Sequence, residues 1–293
     1  MTFVERECCP ACGRASFETL WRAPFSERHL GTYLRDYYLR EPPDGEYWLC
    51  RCNECGLFYQ KLVGDEMFMQ QLYSTWITAI DDPWKDPSYA ADICDFRGSR
   101  DAHELITAAA YLGKPLAEMK VLDYGTGWGL WPTIAAKLGA QAYAVELAPE
   151  KAEYVARQGV TLISESEMAE HHFDFVNLEQ VLEHLVEPVA VLRQLATARL
   201  VKVAVPDASG TTSENVSRLR GIIPVQPLEH INGFTPHALN MLAARVHRRG
   251  IWPSLMQRYS FLRGGFPRGA KRIVKELIRP IYRPPIYAWF ESA

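Results

Sequence analysis

The chain has 293 residues, 48% hydrophobic and 23% charged, enough apolar material for one large α/β domain with a smaller companion or for two modest domains. A formal charge of −3 excludes a global pull toward nucleic acid, so any basic surface has to be local. The first ten residues include Glu5, Arg6 and Glu7 and no apolar leader core, and no run of roughly 18 apolar residues occurs; this reads as a cytoplasmic protein without a membrane span.

Six of the seven cysteines lie between Cys8 and Cys55. Without a secretion signal, that crowding favours metal over disulfides. Cys9-Pro-Ala-Cys12-Gly13 and Cys52-Asn-Glu-Cys55-Gly56 are two C-x-x-C-G knuckles. Their four thiolates suit one structural, tetrahedral zinc held by Cys9, Cys12, Cys52 and Cys55, with Cys8 and Cys50 close enough to substitute. The 39 residues between the knuckles exceed ordinary spacing, so an inserted element occupies residues 13–51. Leu57-Phe58-Tyr59 supplies the little core of a zinc-ribbon-like module over residues 1–60.

Residues 61–98 read as a helix around Met67 to Trp76 and then a connecting lid segment that turns at Asp81-Asp82-Pro83. From Ser99 the pattern becomes regular. A helix runs through Tyr111, then come a strand at Lys120–Tyr124, a helix at Leu130–Leu138, a strand at Ala142–Glu146, a helix after Pro149 and a short strand near Val160–Ile163. A strand at Phe173–Leu178, a helix at Pro188–Ala196 and a strand at Leu200–Val205 follow. This alternation implies a parallel sheet with helices on both faces. Thr235-Pro236 offers an N-cap and a first-turn proline for a helix to about Arg249.

Within that stretch, Val121-Leu122-Asp123-Tyr124-Gly125-Thr126-Gly127-Trp128-Gly129 is an apolar strand breaking into three alternating glycines. Glycine permits the positive φ and close approach of a tight strand-to-helix turn lying against a ligand. Glu146 ends the next strand, 23 residues after Asp123, where its carboxylate can accept the hydroxyls of an adenosine ribose. With Gly129 in place of a later third glycine, the motif is Asp-x-Gly-x-Gly-x-Gly. Here the sequence resembles the class I methyltransferases that use S-adenosylmethionine (SAM). Phe173-Asp174 with Val181-Leu182-Glu183-His184-Leu185, and Val203-Ala204-Val205-Pro206-Asp207, look like that family's fourth and fifth strand motifs.

The resemblance implies a doubly wound, mostly parallel seven-stranded sheet of Rossmann-like type over residues 99–260. It places Asp123, Gly125, Thr126, Gly127, Gly129, Glu146, Leu147, Glu179 and Gln180 around SAM. The cysteine head in turn resembles the zinc-binding domain preceding the core of C-methyltransferases that act on nucleotide-linked keto-deoxysugars. In that group a Glu-His pair does acid–base work, and Pro227-Leu228-Glu229-His230-Ile231-Asn232-Gly233-Phe234-Thr235-Pro236 is similar to the segment carrying it. Pro227 stands where that group has tyrosine, and its long C-terminal domain has no counterpart here. The implied acceptor is a small molecule, including anionic, nucleotide-linked or lipid-linked sugars. Histidine suits removal of an acceptor proton, which makes His230 the base, Glu229 its partner, and His184 and Tyr73 further candidates.

Eight Lys or Arg and one acid, Glu276, lie between Arg258 and Arg283. Ile273, Val274, Leu277 and Ile278 make residues 261–293 a basic helical tail that packs on the core, with weak peripheral membrane contact and contact with a phosphorylated substrate as the other uses. Three other functions stay open. A zinc-headed RNA methyltransferase is disfavoured because acids outnumber bases in residues 1–60. A non-catalytic interaction or regulatory protein of SAM fold is disfavoured by the intact glycine turn. A dehydrogenase is disfavoured by the glycine spacing.

Overall fold

The computed structural model describes residues 3–77, 99–251 and 286–292. From the N-terminus its elements are β1 (Phe3–Glu5), β2 (Phe17–Pro24), α1 (Arg28–Tyr38), β3 (Glu46–Cys52), β4 (Phe58–Gln60), β5 (Leu62–Gly64) and α2 (Glu66–Gln71), the last running into a π-helical turn at Leu72–Trp76. Then come α3 (Arg100–Leu112), β6 (Lys120–Tyr124), α4 (Leu130–Lys137), β7 (Gln141–Val145), α5 (Pro149–Ala156), β8 (Thr161–Leu162) and β9 (Phe175–Glu179). After these follow α6 (Pro188–Gln194), β10 (Leu200–Val205), α7 (Ser213–Ser217), β11 (Asn232–Gly233), α8 (Pro236–Arg245), β12 (Arg248–Ile251) and β13 (Ile286–Ser292). The described residues form two compact units. The first draws on Met1–Thr78, Gln180–Arg193 and Val205–Arg248, and the second on Ala79–Glu179, Gln194–Ala204 and Arg249–Ala293.

A seven-stranded sheet in the order β12-β13-β10-β9-β6-β7-β8 organises the second unit. Its β10/β9, β9/β6, β6/β7 and β7/β8 pairs are parallel, the doubly wound arrangement that the alternation predicts. The central strands are mostly apolar because both faces are covered. All of β10, and every residue of β9 before Glu179, is buried. Helix α3 starts at Ser99, whose side chain accepts the Ala102 N–H, and stops at Gly113 with φ 62°. Its Ala102, Leu105 and Ala108 join a core of Val121, Trp131, Ile134, Phe175, Leu200 and Trp289. In that core the Phe175 ring sits 5.7 Å from Trp131 and 5.5 Å from Trp289. Large aromatic rings carry much of the apolar area such a core removes from water.

Two expectations are corrected: Ile286–Ser292, read as part of a helical tail, is strand β13 of the seven-stranded sheet, where the strands beside it set its conformation, and one helix is shorter than expected. The helix capped by Thr235 ends at Arg245 instead of about Arg249, because His247 takes φ 56° and the chain then extends as β12. A left-handed residue without glycine stops the helix while leaving no mark in the hydrophobic pattern. The amphipathic tail helix and the Asp81-Asp82-Pro83 turn lie outside the described residues.

The first unit carries a four-stranded sheet ordered β11-β4-β3-β2, with antiparallel pairing throughout, and a separate β1–β5 pair. The insertion between the knuckles supplies β2, α1 and β3. The fourth strand, β11, comes from far down the chain, with Asn232 facing Tyr59 and Gly233 facing Phe58. Phe25, Leu30, Leu34, Tyr38, Tyr47, Leu49, Phe58, Phe68 and Leu72 pack with Val225, Leu228 and Ile231, so the cysteine head and the segment before α8 share one apolar core.

Candidate cofactor turn, acid–base cluster and metal centre

The glycine turn leaves β6 with Gly125, Gly127 and Gly129 at φ 69°, 56° and 74°. A Cβ on Gly129 would stand 2.6 Å from Val155 Cγ2, so this glycine lets α4 seat against α5. A Cβ on Gly127 would meet nothing within 4 Å, which leaves its face of the turn open. The Gly127 N–H donates to Glu146 Oε2 at 2.7 Å and the Ala148 N–H to Oε1 at 2.8 Å. Each carboxylate oxygen keeps further lone-pair capacity while its position is fixed by backbone. Leu147 beside it is 76% exposed.

Asp123 is buried, and donors within the chain occupy both its oxygens: Thr126 Oγ1 at 2.7 Å and Asn177 Nδ2 at 2.7 Å. Burial raises its carboxyl to about 7, against the lowering effect of those two hydrogen bonds and of Lys202. In this geometry Asp123 braces the turn from behind. Glu179, at the carboxyl end of β9, is held by Arg100 at 2.8 Å and by Lys202 at 2.7 Å. Gln180 follows with φ 56°. Neither Arg100 nor Lys202 stands out from motif reading, although a lone lysine inside Leu-Val-Lys-Val-Ala-Val is a visible anomaly.

In the first unit the structure brings together Tyr73, His184 and His230, and Glu229 joins them through its backbone carbonyl while its carboxylate faces Tyr37 and Gln226. The loop before β11 is shaped by Leu228, which is buried with φ 70°. Gln60 of β4 clamps it: Nε2 donates to the Gln226 carbonyl at 2.9 Å and the His230 carbonyl at 3.2 Å, and Oε1 accepts the Leu228 N–H at 3.3 Å. Tyr38 and Tyr47 donate to the Pro227 and Val225 carbonyls. Asn232 Nδ2 bonds the Leu182 and Leu185 carbonyls at 2.9 and 2.7 Å, which fixes the His184 segment beside this loop.

The rings of His184 and His230 lie 4.7 Å apart at 73°. His184 Nδ1 is 3.1 Å from the Glu229 carbonyl and 3.0 Å from Tyr73 Oη, and the Tyr73 hydroxyl also donates to that carbonyl at 3.2 Å. His230 Nδ1 donates to the Ile223 carbonyl. A carbonyl only accepts, so each imidazole carries its proton on Nδ1 and presents Nε2 as a lone pair. Burial lowers the His230 pKa against that hydrogen bond; burial and then His230 bring His184 down to about 3. Both rings are therefore neutral near pH 7. Burial raises the Glu229 carboxyl, whose Oε2 accepts from Gln226 Nε2 at 3.1 Å and from the Tyr37 hydroxyl at 3.2 Å. Motif reading did not find Tyr37 and Gln226; Tyr37 lies 192 positions from Glu229. Ligand atoms of Glu183, His184 and His230 lie within 4.8 Å of one another, a spacing a cation could also bridge.

The ligand atoms of Cys9, Cys12, Cys52 and Cys55 also all lie within 4.8 Å, with Cys9–Cys55 and Cys12–Cys52 sulfurs 3.5 Å apart. Zn–S bonds of about 2.3 Å in a tetrahedron require sulfur separations of about 3.8 Å, so the group fits one zinc. Gly13 and Gly56 turn at φ 78° and 69°, and their N–H groups close each knuckle on the Cys9 and Cys52 carbonyls. A hydrogen bond with Cys55 lowers the Cys9 thiol to about 5, while Cys55 is pushed up. Cys50 instead contacts Thr19 Oγ1 at 4.0 Å, and no described metal-ligating group includes Cys8 or Cys50.

A family model described as a methyltransferase domain matches residues 97–246, about half of the chain. The ubiquinone biosynthesis O-methyltransferase of Xanthomonas oryzae pv. oryzae (strain PXO99A) is 37% identical over 98 residues, covering 30% of this chain and 40% of that protein. The protein of the same name from Idiomarina loihiensis is 32% identical over 152 residues, covering 47% of this chain and 58% of that protein. The chain thus spans less than two thirds of the length of either relative. Among solved structures, a plantazolicin methyltransferase in complex with S-adenosylhomocysteine (SAH) aligns with TM-score 0.47 and 14% identity over 77% of this chain and 96% of that one. Magnesium protoporphyrin IX methyltransferase from Synechocystis PCC 6803 with bound SAH aligns with TM-score 0.43 and 15% identity, over 64% and 91%.

Proposed function

This chain belongs to the methyltransferase domain family, and we propose that it moves a methyl group from SAM to a small molecule whose accepting oxygen or carbon must first lose a proton. The observation that carries the reading is the glycine turn whose Gly127 N–H tethers Glu146 2.7 Å away, a pre-positioned carboxylate beside open backbone. Bound SAM supplies an electrophilic methyl on a sulfonium. Glu146 takes the ribose hydroxyls, Gly125, Thr126, Gly127, Gly129 and Leu147 line the adenosyl side, and Glu179 and Gln180 hold the amino-acid end. Asp123 serves the cofactor through the turn it braces. Alignment of the reactants then supplies much of the acceleration.

Proton removal falls to His230, whose Nδ1–H is engaged by Ile223 and whose neutral Nε2 is therefore a base at neutral pH. Tyr73 and His184 support it, and Glu229, with its raised carboxyl, acts as the proton-holding partner. The similarity of the Glu229-His230 segment to sugar C-methyltransferases and the O-methyltransferase names of the relatives agree on an acceptor of this kind. A sugar or related natural-product intermediate carrying a hydroxyl or an acidic C–H fits it. Zinc on Cys9, Cys12, Cys52 and Cys55 is structural, since four thiolates leave no open position.

Calorimetry with SAH, followed by a screen of nucleotide-linked sugars and phenols for SAH release, tests the proposal. His230→Ala should leave SAH affinity unchanged and lower turnover by about 10²–10⁴-fold. Full turnover in that variant removes His230 from the mechanism, and absence of any SAH heat at millimolar concentration removes the SAM reading.

A further inference from the structure

A lysine is the least expected residue in the middle of β10. Its neighbours Leu200, Val201, Val203, Ala204 and Val205 are all buried apolar residues, and the Lys202 side chain itself is 0% exposed. A methionine of similar length would fill the same space without removing an ammonium from water, which costs several kcal/mol unless the ion is paired. Lys202 is paired on two sides. Its Nζ lies 2.9 Å from Glu104 Oε1 and 2.7 Å from Glu179 Oε2, with the Tyr287 ring centroid at 5.5 Å. Glu104 is itself fixed by Trp131 Nε1 at 2.9 Å and by the Tyr287 hydroxyl at 2.6 Å. This acid is anchored to the core and holds the lysine from below.

The register shows where the lysine works. Lys202 pairs with Asn177, and Asn177 pairs with Asp123, so one polar row crosses three central strands at the level of the glycine turn. Glu179 lies two residues beyond Asn177 on the same face, with 26% of its side chain exposed. We infer that Lys202 is a positioning residue for the amino-acid end of the cofactor: it fixes the Glu179 carboxylate at the strand end so that this acid receives the α-ammonium of SAM. Lys202 grips Oε2 while Arg100 spans both oxygens. Of about four lone-pair sites on a carboxylate, the described residues take three, which leaves one for the ligand. Burial would raise the Glu179 carboxyl, but Lys202 and then Arg100 outweigh it, so the acid is anionic when an ammonium arrives.

The inference rests on the SAM reading, and the test separates the two by comparing SAH with 5′-methylthioadenosine, which has the same nucleoside and no amino-acid end. Calorimetry of Lys202→Met should show SAH affinity falling about 10- to 100-fold, the range of a charge-assisted hydrogen bond. Methylthioadenosine should stay within about twofold, and Glu179→Gln should reproduce the pattern. Should Lys202→Met fail to fold, Lys202→Met/Glu104→Gln removes one charge of each sign and is read by the same ratio. Equal losses for both ligands, or an unchanged SAH affinity, would assign Lys202 to scaffolding and overturn the inference while leaving the SAM reading intact. Native protein that binds neither ligand overturns both.

Discussion

Replacing Gly129 by alanine should cost folding stability, whereas the same change at Gly127 should cost mainly ligand affinity. Both glycines are left-handed, at φ 74° and 56°, so each alanine pays about 1 kcal/mol for its backbone conformation. Beyond that the sites differ. A Cβ at residue 129 would stand 2.6 Å from Val155 Cγ2 and 3.1 Å from its Cγ1, and Val155 is fully buried with a stiff branched side chain. Forcing a methyl into such a contact adds about 1–3 kcal/mol, for a total of about 2–4 kcal/mol. At residue 127 nothing lies within 4 Å, and only the backbone term of about 1 kcal/mol remains. Urea denaturation followed by tryptophan fluorescence measures the difference, and SAH calorimetry measures the affinity. Because the clash is pairwise, Gly129→Ala with Val155→Ala should recover part of the loss relative to the sum of the single changes. Equal destabilisation at the two glycines, or strict additivity in that cycle, would refute the packing argument.

Two further measurements follow from the site geometry. The folded His184 pKa of about 3 lies below its unfolded value of about 6.5, so its contribution to stability is complete above pH 6.5 and declines as pH falls toward 3. That amounts to about 2 kcal/mol at pH 5, and urea midpoints at pH 7.5 and 5 should converge in His184→Gln by roughly this amount. Metal analysis should find one zinc per chain; Cys55→Ser should lose it and unfold the first unit more easily, as near-ultraviolet circular dichroism would report.

The parts legible in the chain are those where local periodicity and burial agree. Strands β6 and β10 are mostly apolar and bounded by turn residues, so their limits coincide with the reading, and three alternating glycines mark the turn regardless of context. The end of α8 was not legible, because a helical run of Ala and Arg continues on paper past the left-handed His247 that stops it. Strand β13 escaped for a different reason: Ile286–Ser292 lies in a segment read as a helical tail, and becomes a strand through its place in the sheet. In the acid–base cluster, Glu229 and His230 were findable as adjacent chemistry. Gln60, which holds their loop, was not, since its three partners begin 166 positions away. Lys202 is an intermediate case. Its oddity is plain in the strand, but Glu104 and Glu179 as partners emerge only when α3 and β9 are laid beside it.

The pairing of Asn232–Gly233 with Phe58–Tyr59 makes the cysteine-bearing segment and the histidine-bearing segment neighbours in one sheet. They are therefore poor candidates for independent exchange. A chimera that grafts only the first sixty or so residues onto a related enzyme, or trims them away, would strip the strand against which the Glu229-His230 loop is registered. Successful transplantation would have to move both stretches as a single inheritance.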